Sequence, residues 1–280
     1  IAEIGINHRG DLLVAKELIN LAKSSGCWGV KFQFRDANTF YNRTDEISDE
    51  IVFGEIRRNH ISVESLGLLG NYCRDLGIKF GVSVFRVEDL DLLENIFSMI
   101  DFFKVPSAEC LNTLLINELI AIKKLVFISL GGTDTTKAIQ SLSAFKSKLI
   151  AFHCISNYPT KLGEQDLAVI KTLNEAGFGG VGYSSHDTDW EVCLLALANG
   201  AKWIERHITL DKNANGLDHS SSSTVAELQK LVKFCSSYSR ILGKAYHSPN
   251  QGELINLQNL GTSVYAKRDL KVEETTSLAD

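Results

Sequence analysis

The sequence predicts a (β/α)₈ barrel of the α/β class, the TIM-barrel fold, on three observations. Short apolar runs with the composition of β-strands alternate with amphipathic stretches at helical spacing, and eight such pairs follow one another. Each apolar run ends in polar residues, as parallel strands do where they enter the loops before the next helix. The chain has 280 residues, and one barrel of this class commonly uses about 250.

The predicted elements alternate along the first 242 residues. The eight predicted strands cover residues 1–7, 29–34, 79–84, 102–105, 125–129, 149–154, 180–184 and 203–208. The predicted helices cover residues 12–23, 63–76, 89–96, 111–122, 135–146, 165–176, 190–198 and 225–241. Several helices run into a glycine before the next strand, where a left-handed C-cap costs little, namely Gly26, Gly77, Gly177 and Gly200.

An open, doubly wound sheet shares this alternation and is the alternative to a closed barrel. Its phosphate-binding loop is normally glycine-rich directly after the first strand. This sequence has Asn7-His8-Arg9-Gly10 at that place. We therefore expect the closed barrel.

Two segments depart from the alternation. Residues 36–60, rich in Asp, Glu, Asn and Arg, lie between the second strand and its helix, and we expect an active-site loop there. After residue 242 the helical pattern stops, and only residues 263–267 resemble a strand. Such a tail cannot build a core of its own. We therefore predict a barrel domain over residues 1–242 and a linker over 243–280 that leads into a truncated or absent C-terminal domain.

Composition and charge exclude several classes of protein. The chain is 44% hydrophobic and 22% charged, as ordinary globular proteins are. Its formal net charge of −5 disfavours nucleic acid as a partner, because covering a phosphate backbone needs a surplus of Lys and Arg. No apolar run is long enough to span a membrane, and the six cysteines contain no CxxC pair. We expect a cytoplasmic protein that binds neither nucleic acid nor membranes.

Four charged residues lie within predicted strands, where side chains face a crowded interior. These are Glu3, Lys31, Lys104 and Glu205. An unpaired charge would be costly to bury there, so each needs a partner. One interpretation is an internal layer of salt bridges. Since four such residues occur on different strands of one barrel, and barrel active sites lie at the carboxyl ends of the strands, a functional site is favoured.

Hydroxyl groups at the ends of successive strands complement the two lysines. Ser107, Ser129 and Ser184 each lie where a predicted strand stops. Lysine supplies positive charge and serine supplies short hydrogen-bond donors, which together suit a phosphate group. Solvated turn serines are the alternative interpretation, because serine is common in turns. Their position at successive strand ends favours a phosphate site.

Two histidines predict a metal site. His186 and His207 end neighbouring strands, so their imidazoles could converge on one ion. A two-histidine site with open positions suits an octahedral ion such as Mn²⁺ that also binds substrate and water. A hydrogen-bonded core histidine is the alternative for either residue. His8, His153 and His219 are candidates for further ligands at the same end of the barrel.

Seven strings occur in the order and spacing of a known family. They are IAEIGINHRGDLLVAKELI, GVKFQ, KVPSAE, HCISNYP, GYSSH, IERHITLD and LDHSSS. This set resembles the N-acetylneuraminate (sialic acid) synthases, a family that includes legionaminic acid, pseudaminic acid and spore-coat polysaccharide synthases. The resemblance covers residue 1 to about residue 242.

The resemblance implies an enzyme that condenses phosphoenolpyruvate with N-acetylmannosamine or a related acetamido sugar and releases phosphate. It implies a homodimer that uses Mn²⁺, or Mg²⁺ or Co²⁺ in its place, held by His186 and His207. The implied phosphoenolpyruvate contacts are Lys31, Lys104, Ser107, Ser129, Asn157 and Ser184. Glu3 matches the acid–base carboxylate, and the implied sugar contacts are Gln33, Tyr158 and Asp218.

Some positions differ from the family pattern. Ser185 stands where the family usually has Asp before the metal-binding His, and Leu130 replaces a Thr; Arg9, Lys161 and Leu217 replace Asn, Pro and Pro. Loss of a carboxylate beside a ligand is expected to alter the orientation or affinity of the metal site. The last residues resemble the entry into the family's C-terminal antifreeze-like domain. These differences motivate a second hypothesis, a catalytically weak sugar-binding barrel that acts in polysaccharide assembly.

Overall fold

Eight parallel strands close into a barrel. The structure, a computed structural model, describes residues 1–36 and 50–277, and residues 50–53 by backbone alone. The strands are β1 (Ala2–Gly5), β2 (Gly29–Phe34), β3 (Lys79–Val84), β4 (Phe102–Val105), β5 (Leu125–Ser129), β6 (Leu149–Cys154), β7 (Gly180–Ser185) and β8 (Trp203–His207). They pair in sequence order, and β8 also pairs with β1. The predicted closed barrel is confirmed, and the open sheet is excluded.

Helices lie between the strands and after the last one, and all but α2 and α10 fall where the periodicity predicts a helix. They are α1 (Leu12–Ser24), α2 (Glu50–Arg58), α3 (Val63–Leu76), α4 (Glu88–Leu93), α5 (Thr113–Ala121), α6 (Thr135–Ser141), α7 (Val169–Glu175), α8 (Val192–Ala198), α9 (Val225–Leu242) and α10 (Gln251–Leu260). Gly77 ends α3 with a φ of 66°, a left-handed conformation that suits a residue without Cβ. Gly26, Gly177 and Gly200 also have positive φ, so the predicted C-caps are confirmed.

The segment predicted as a loop is partly helical. Its last part forms α2 (Glu50–Arg58), which the sequence pattern does not predict. Residues 37–49 lie outside the described residues, so the expected active-site loop is not tested there. The first strand is also shorter than predicted, because its pairing with β2 shifts register between Glu3 and Gly5. Gly5 has a φ of +55°, which ends the extended conformation.

The chain divides into two compact units, Ile1–Ser237 and Tyr238–Asp280. In the second unit the structure has helix α10, opened by a capping box between Asn250 and Glu253. The prediction of a strand at residues 263–267 is wrong, because a strand needs a pairing partner and these residues have none among the described ones. The interpretation of this tail as a linker to a further domain stays a prediction. No helix in the described ranges is both long and apolar enough to cross a membrane.

Candidate active site

Side chains alternate between the two faces of each strand, so each strand places at least one polar residue in the barrel interior. Side chains two residues apart share a face, so the inward face of β4 carries Phe102 and then Lys104, and that of β8 carries Trp203, Glu205 and His207. Toward the carboxyl ends these inward positions line one cavity of about 420 Å³. The strand residues lining it are Glu3, Lys31, Gln33, Ser83, Lys104, Ser129, Cys154, Ser184, Glu205 and His207.

The four buried charges form one connected network at the floor of this cavity. Lys31 Nζ makes an ion pair with Glu3 and lies 3.9 Å from Glu205 Oε2. Lys104 Nζ donates to both carboxylate oxygens of Glu205, at 3.0 and 3.2 Å. The charges therefore pair with one another, as the salt-bridge interpretation predicts, and they also line the cavity, so a functional role at this place stays a prediction.

The pKa values of the two carboxyl groups of this network are shifted in opposite directions. Burial raises the pKa of Glu3 above its ordinary value, although the adjacent Lys31 ammonium acts in the opposite direction. Burial also acts to raise the pKa of Glu205, but the ammonium groups of Lys104 and Lys31 outweigh it and hold that pKa well below its usual range. Glu205 is thus the fixed anion of the network, and Glu3 is the carboxyl that exchanges a proton more readily.

Hydroxyl and backbone groups line the side of the cavity above the lysines. Ser107, Ser129 and Ser184 all line it, as predicted, and Ser184 Oγ donates to Glu205 at 2.9 Å. The backbone N–H of Gly131 donates to Ser107 Oγ at 3.2 Å. A Cβ at Gly131 would come within 2.3 Å of Ser156 Oγ, so a side chain there would fill the space beside these hydroxyls. The result is a small pocket of cations, hydroxyls and exposed backbone.

His186 and His207 line the same cavity, with ring centroids 5.5 Å apart. His186 Nδ1 lies 2.7 Å from the carbonyl oxygen of Ile155, and because a carbonyl only accepts, Nδ1 carries a proton, which leaves Nε2 as the nitrogen that would bind a metal. Burial, and then the charge of His186, lowers the pKa of His207 well below its ordinary value. His207 is therefore neutral, the form in which imidazole binds metals.

These donors fit a divalent ion with open coordination positions. Buried His207 Nδ1 has no hydrogen-bond partner in the described part of the chain, and Asp218 Oδ2 lies 3.4 Å from it. Within the described residues, no group of three or more His, Cys, Asp or Glu side chains forms a ready cage for a metal. Two imidazoles would leave most of an octahedral coordination shell open to substrate and water.

Two of the three residues predicted to contact the sugar, Tyr158 and Asp218, lie beside the histidines, and the third lies beside Glu3. The Gln33 amide donates to Glu3 Oε1 at 3.0 Å, and the Tyr158 ring is tilted against the His186 ring, with centroids 4.0 Å apart. Asp218 is buried beside His207, and burial with the nearby Glu3 charge raises its pKa to about 6. Asn157 does not line the cavity; it is exposed and its amide lies 3.5 Å from Glu164 Oε2.

The three additional histidine candidates do not line the cavity. His8 Nδ1 accepts from the backbone of Gly10 at 3.0 Å, His153 Nε2 contacts the Gln165 carbonyl at 2.6 Å, and His219 Nδ1 contacts Thr209 Oγ1 at 2.8 Å. Each imidazole is engaged locally, as a hydrogen-bonded core histidine is.

Several cavity residues were not predicted. Ser83 accepts from Lys31 Nζ at 2.6 Å and lies on β3 opposite Lys104. Its inward orientation could have been predicted, because Gly81 and Ser83 are two residues apart on one strand and therefore share a face. Cys154 lies inward at the end of β6, where burial would raise its pKa but His186 and Lys104 lower it to about 7. Arg35 lines the mouth with its guanidinium 3.5 Å from the centre of the Phe85 ring.

Comparison with known proteins agrees with these observations. The model of the NeuB family matches residues 18–247. The chain is 30% identical to the N,N'-diacetyllegionaminic acid synthase of Campylobacter jejuni, over 99% of this chain and 87% of that protein. It is 34% identical to the human N-acetylneuraminate-9-phosphate synthase, over 99% of this chain and 80% of that protein.

Solved structures show the same relationship. The crystal structure of the N-acetylneuraminic acid synthetase from Leptospira borgpetersenii, in complex with citrate, superimposes with a TM-score of 0.80 at 29% identity, and the match covers 92% of this chain and 89% of that one. The matched family region contains both histidines of the cavity and both of its lysines. The chain belongs to the NeuB family, and the relatives it matches include sialic acid and related sugar synthases.

Proposed function

We propose that this enzyme condenses phosphoenolpyruvate with N-acetylmannosamine or a related acetamido sugar and releases phosphate. The observation that carries the proposal is the arrangement of β1 between β2 and β8. Glu3 is opposite Lys31 on one side and opposite His207 on the other. A proton-exchanging carboxyl therefore stands between a cationic, hydroxyl-rich half and a two-imidazole half of one cavity.

The cationic half suits the phosphate and carboxylate of phosphoenolpyruvate. Lys31 and Lys104 bring two ammonium groups, whose charges Glu3 and Glu205 partly balance. Ser107, Ser129 and Ser184 add short donors, and the Gly131 backbone allows close approach. Charges fixed in advance in a water-poor site stabilise a departing phosphate without having to reorganise.

The reaction adds one C–C bond and one water. The methylene carbon of phosphoenolpyruvate attacks the aldehyde carbon of the sugar, whose oxygen becomes a hydroxyl. Water adds to the resulting oxocarbenium carbon, and the C–O bond to phosphate then breaks, which leaves a 2-keto acid and inorganic phosphate. Glu3 is assigned the proton of that water, because its pKa is raised and it faces the cavity.

His186 and His207 are assigned to the metal, with Mn²⁺ expected and Mg²⁺ or Co²⁺ as alternatives. When bound, such an ion polarises the aldehyde oxygen of the acceptor. Gln33, Tyr158 and Asp218 are assigned to the sugar. The assignment of Asn157 to phosphoenolpyruvate has the least support, because its side chain points to Glu164 outside the cavity.

The acceptor is an acetamido hexose or a close relative of one. The relatives named above make N,N'-diacetyllegionaminic acid and N-acetylneuraminate 9-phosphate, so a diacetamido sugar or a phosphorylated acetamido sugar is included in the proposal. The homodimer and the cytoplasmic location remain predictions.

The second hypothesis, a sugar-binding barrel with little catalysis, does not require buried charged residues in the cavity. A binding module has no use for buried charges that each need a partner, yet Glu3, Lys31, Lys104 and Glu205 are all at most 5% exposed. The retained network favours the enzyme. Sugar binding without phosphoenolpyruvate binding, seen by calorimetry, would reverse this preference.

One experiment tests the proposal directly. The protein is incubated with phosphoenolpyruvate, Mn²⁺ and a panel of mono- and diacetamido hexoses, with and without a 6-phosphate. Phosphate release and product mass are both followed. We expect phosphate release only with an acceptor, and a product whose mass is the sum of sugar, phosphoenolpyruvate and water minus phosphoric acid.

The Glu3→Gln variant provides the residue-level test, and Glu94→Gln is its matched control, because Glu94 is exposed. We expect Glu3→Gln to lower product formation by roughly 10²–10⁴-fold, the range of general acid–base catalysis, and Glu94→Gln to leave it unchanged. Full activity of Glu3→Gln, or of His186→Ala, would contradict the assigned mechanism.

A further inference from the structure

A buried carboxylate, Asp187, lies directly after His186, the residue that follows β7, and does not line the cavity. Asp187 is 2% exposed. Its Oδ2 accepts from the Tyr183 hydroxyl and from the Ser185 hydroxyl, each at 2.7 Å, and its Oδ1 accepts from the Gln165 amide at 3.0 Å. All three donors are neutral, so none of them balances the charge of Asp187 directly.

The balancing charge is Arg206, which reaches Asp187 through Ser185. Arg206 Nη1 donates to Ser185 Oγ and to the backbone carbonyl of Asp187, both at 2.8 Å. The Ser185 hydroxyl thus accepts from the cation and gives its own proton to the carboxylate. Buried Arg206 Nη2 has no hydrogen-bond partner among the described residues. A guanidinium that is 1% exposed therefore lacks the direct two-point carboxylate partner it could bind.

We call the contacts from Arg206 through the Ser185 hydroxyl to the Asp187 carboxylate the relay. Position 185 holds a serine, whose hydroxyl is the group that Arg206 contacts. The carboxylate is found two residues later, and the serine hydroxyl bridges the guanidinium and the carboxylate.

The relay connects to both predicted metal ligands through the backbone. Asp187 follows His186, and Arg206 precedes His207, on strands paired at Ser185 and Arg206. Asp187 also holds the loop after β6 through Gln165, and the backbone N–H of Thr160 in that loop donates to the His186 carbonyl at 3.0 Å. The same loop places the Tyr158 ring 4.0 Å from His186.

We infer that Asp187, acting through Ser185 and Arg206, is a positioning residue that orients His186, His207 and the Tyr158 loop for metal and sugar binding. The inference rests on the proposed function of the same site. Replacing the acceptor of three buried donors by a group that also donates leaves at least one donor unsatisfied, so the loop and both strand ends must shift. Such partners of metal ligands typically change affinity roughly 10–100-fold.

The test measures Mn²⁺ binding to the whole, substrate-free protein by the electron paramagnetic resonance signal of the free ion. We expect Asp187→Asn to weaken Mn²⁺ binding roughly 10–100-fold and to raise KM for the acceptor sugar more than it lowers kcat. Asp189→Asn is the control, since it makes the same chemical change two residues later at an exposed position.

Rescue separates positioning from a merely structural role. Ser185→Asp, added to Asp187→Asn, puts a carboxylate directly against Arg206, and we expect it to restore most of the Mn²⁺ affinity. If Asp187→Asn does not fold, Ser185→Ala serves instead, because it keeps both charges and interrupts only the relay; we expect it to weaken Mn²⁺ binding in the same direction.

The outcomes for this inference and for the proposed function differ. Mn²⁺ affinity in Asp187→Asn or Ser185→Ala equal to that of the wild type, or a double variant that binds no better than Asp187→Asn, overturns the positioning role. A protein that binds Mn²⁺ in this Asp187-dependent way but makes no C–C bonded product contradicts the proposed function and leaves the positioning role intact.

Discussion

The two ends of the barrel interior are built on the same alternation of the strands but have opposite chemistry. At the amino end the inward positions carry aromatic rings, and Phe127 lies 5.3 Å from Phe102 and 5.1 Å from Trp203. Two residues further along those strands, the inward positions carry Ser129, Lys104 and Glu205. One end is a packed hydrophobic plug, and the other is a charged cavity.

The two layers meet at Lys104, whose Nζ lies 4.1 Å from the centre of the Phe152 ring. The plug closes the floor of the cavity and keeps water from the ion pairs above it, so these charges act in a medium of lower dielectric constant. Burying the charges opposes folding, whereas burying the rings favours it. The aromatic layer of the barrel interior therefore contributes to stability, and the charged layer provides the groups proposed for catalysis.

Lys104→Met is expected to have the largest effect, because it breaks the charged layer. It removes the main partner of Glu205 and one of the two cations assigned to phosphate. We expect phosphate release to fall roughly 10²–10³-fold and the free energy of unfolding to fall by about 3–5 kcal/mol. Steady-state kinetics and urea denaturation check the two effects.

The control for this variant is Lys148→Met, an exposed lysine just before β6 at the opposite end of the barrel. It changes the net charge equally, and we expect activity and stability close to wild type. Equal losses in both variants would show that net charge, not the network, is responsible.

Phe127→Ala should have the opposite pattern, with a large loss of stability and little change in kcat. The ring is fully buried and contacts Phe102, Phe152 and Trp203, so its removal is expected to cost about 3–5 kcal/mol of unfolding free energy. Leu125→Ala, on the same strand but 46% exposed, should cost far less. Because the strand ends stay in place, we expect the folded variant to keep kcat within a few-fold of wild type at low temperature.

The smallest expected effect is a pH dependence of stability that comes from the charged layer. The folded-state pKa of Glu205 is below the ordinary value of 4.5, so its contribution is present above that value and is lost as the pH falls through the folded pKa. Urea denaturation between pH 6 and pH 3 should show a shallower acid-side loss in Glu205→Gln than in wild type, by at most about 1.4 kcal/mol per pH unit. Equal slopes would contradict the assigned charge state.

The barrel elements were predictable because a buried face imposes a period on the sequence. β2, β3 and α3 match the predicted bounds in full. Helix α10 was missed because it lacks such a face: its residues are exposed and carry no apolar stripe. Only the capping pair of Asn250 and Glu253 marks its start. The end of β1 was missed because a register shift at Gly5 depends on pairing with another strand.

The cavity was predictable to the extent that strand ends could be located. All the proposed site residues line it except Asn157, which turns outward, and Asp218, which lies behind His207. The relay from Arg206 to Asp187 could not be predicted, because it joins β8 to β7 through a hydroxyl and depends on three-dimensional distances. Sequence patterns report which face a residue occupies, not which partner it meets there.

The pairing of Glu3 with both Lys31 and His207 has a consequence for biosynthesis. The first strand is made early, but one of its two neighbours is the last strand of the barrel. Because chains begin to fold from the amino terminus as they are synthesised, β1 waits with one unpaired edge until β8 emerges. A nascent chain, or a fragment that ends before β8, therefore has neither a closed barrel nor a complete site, and function should appear in a single late step.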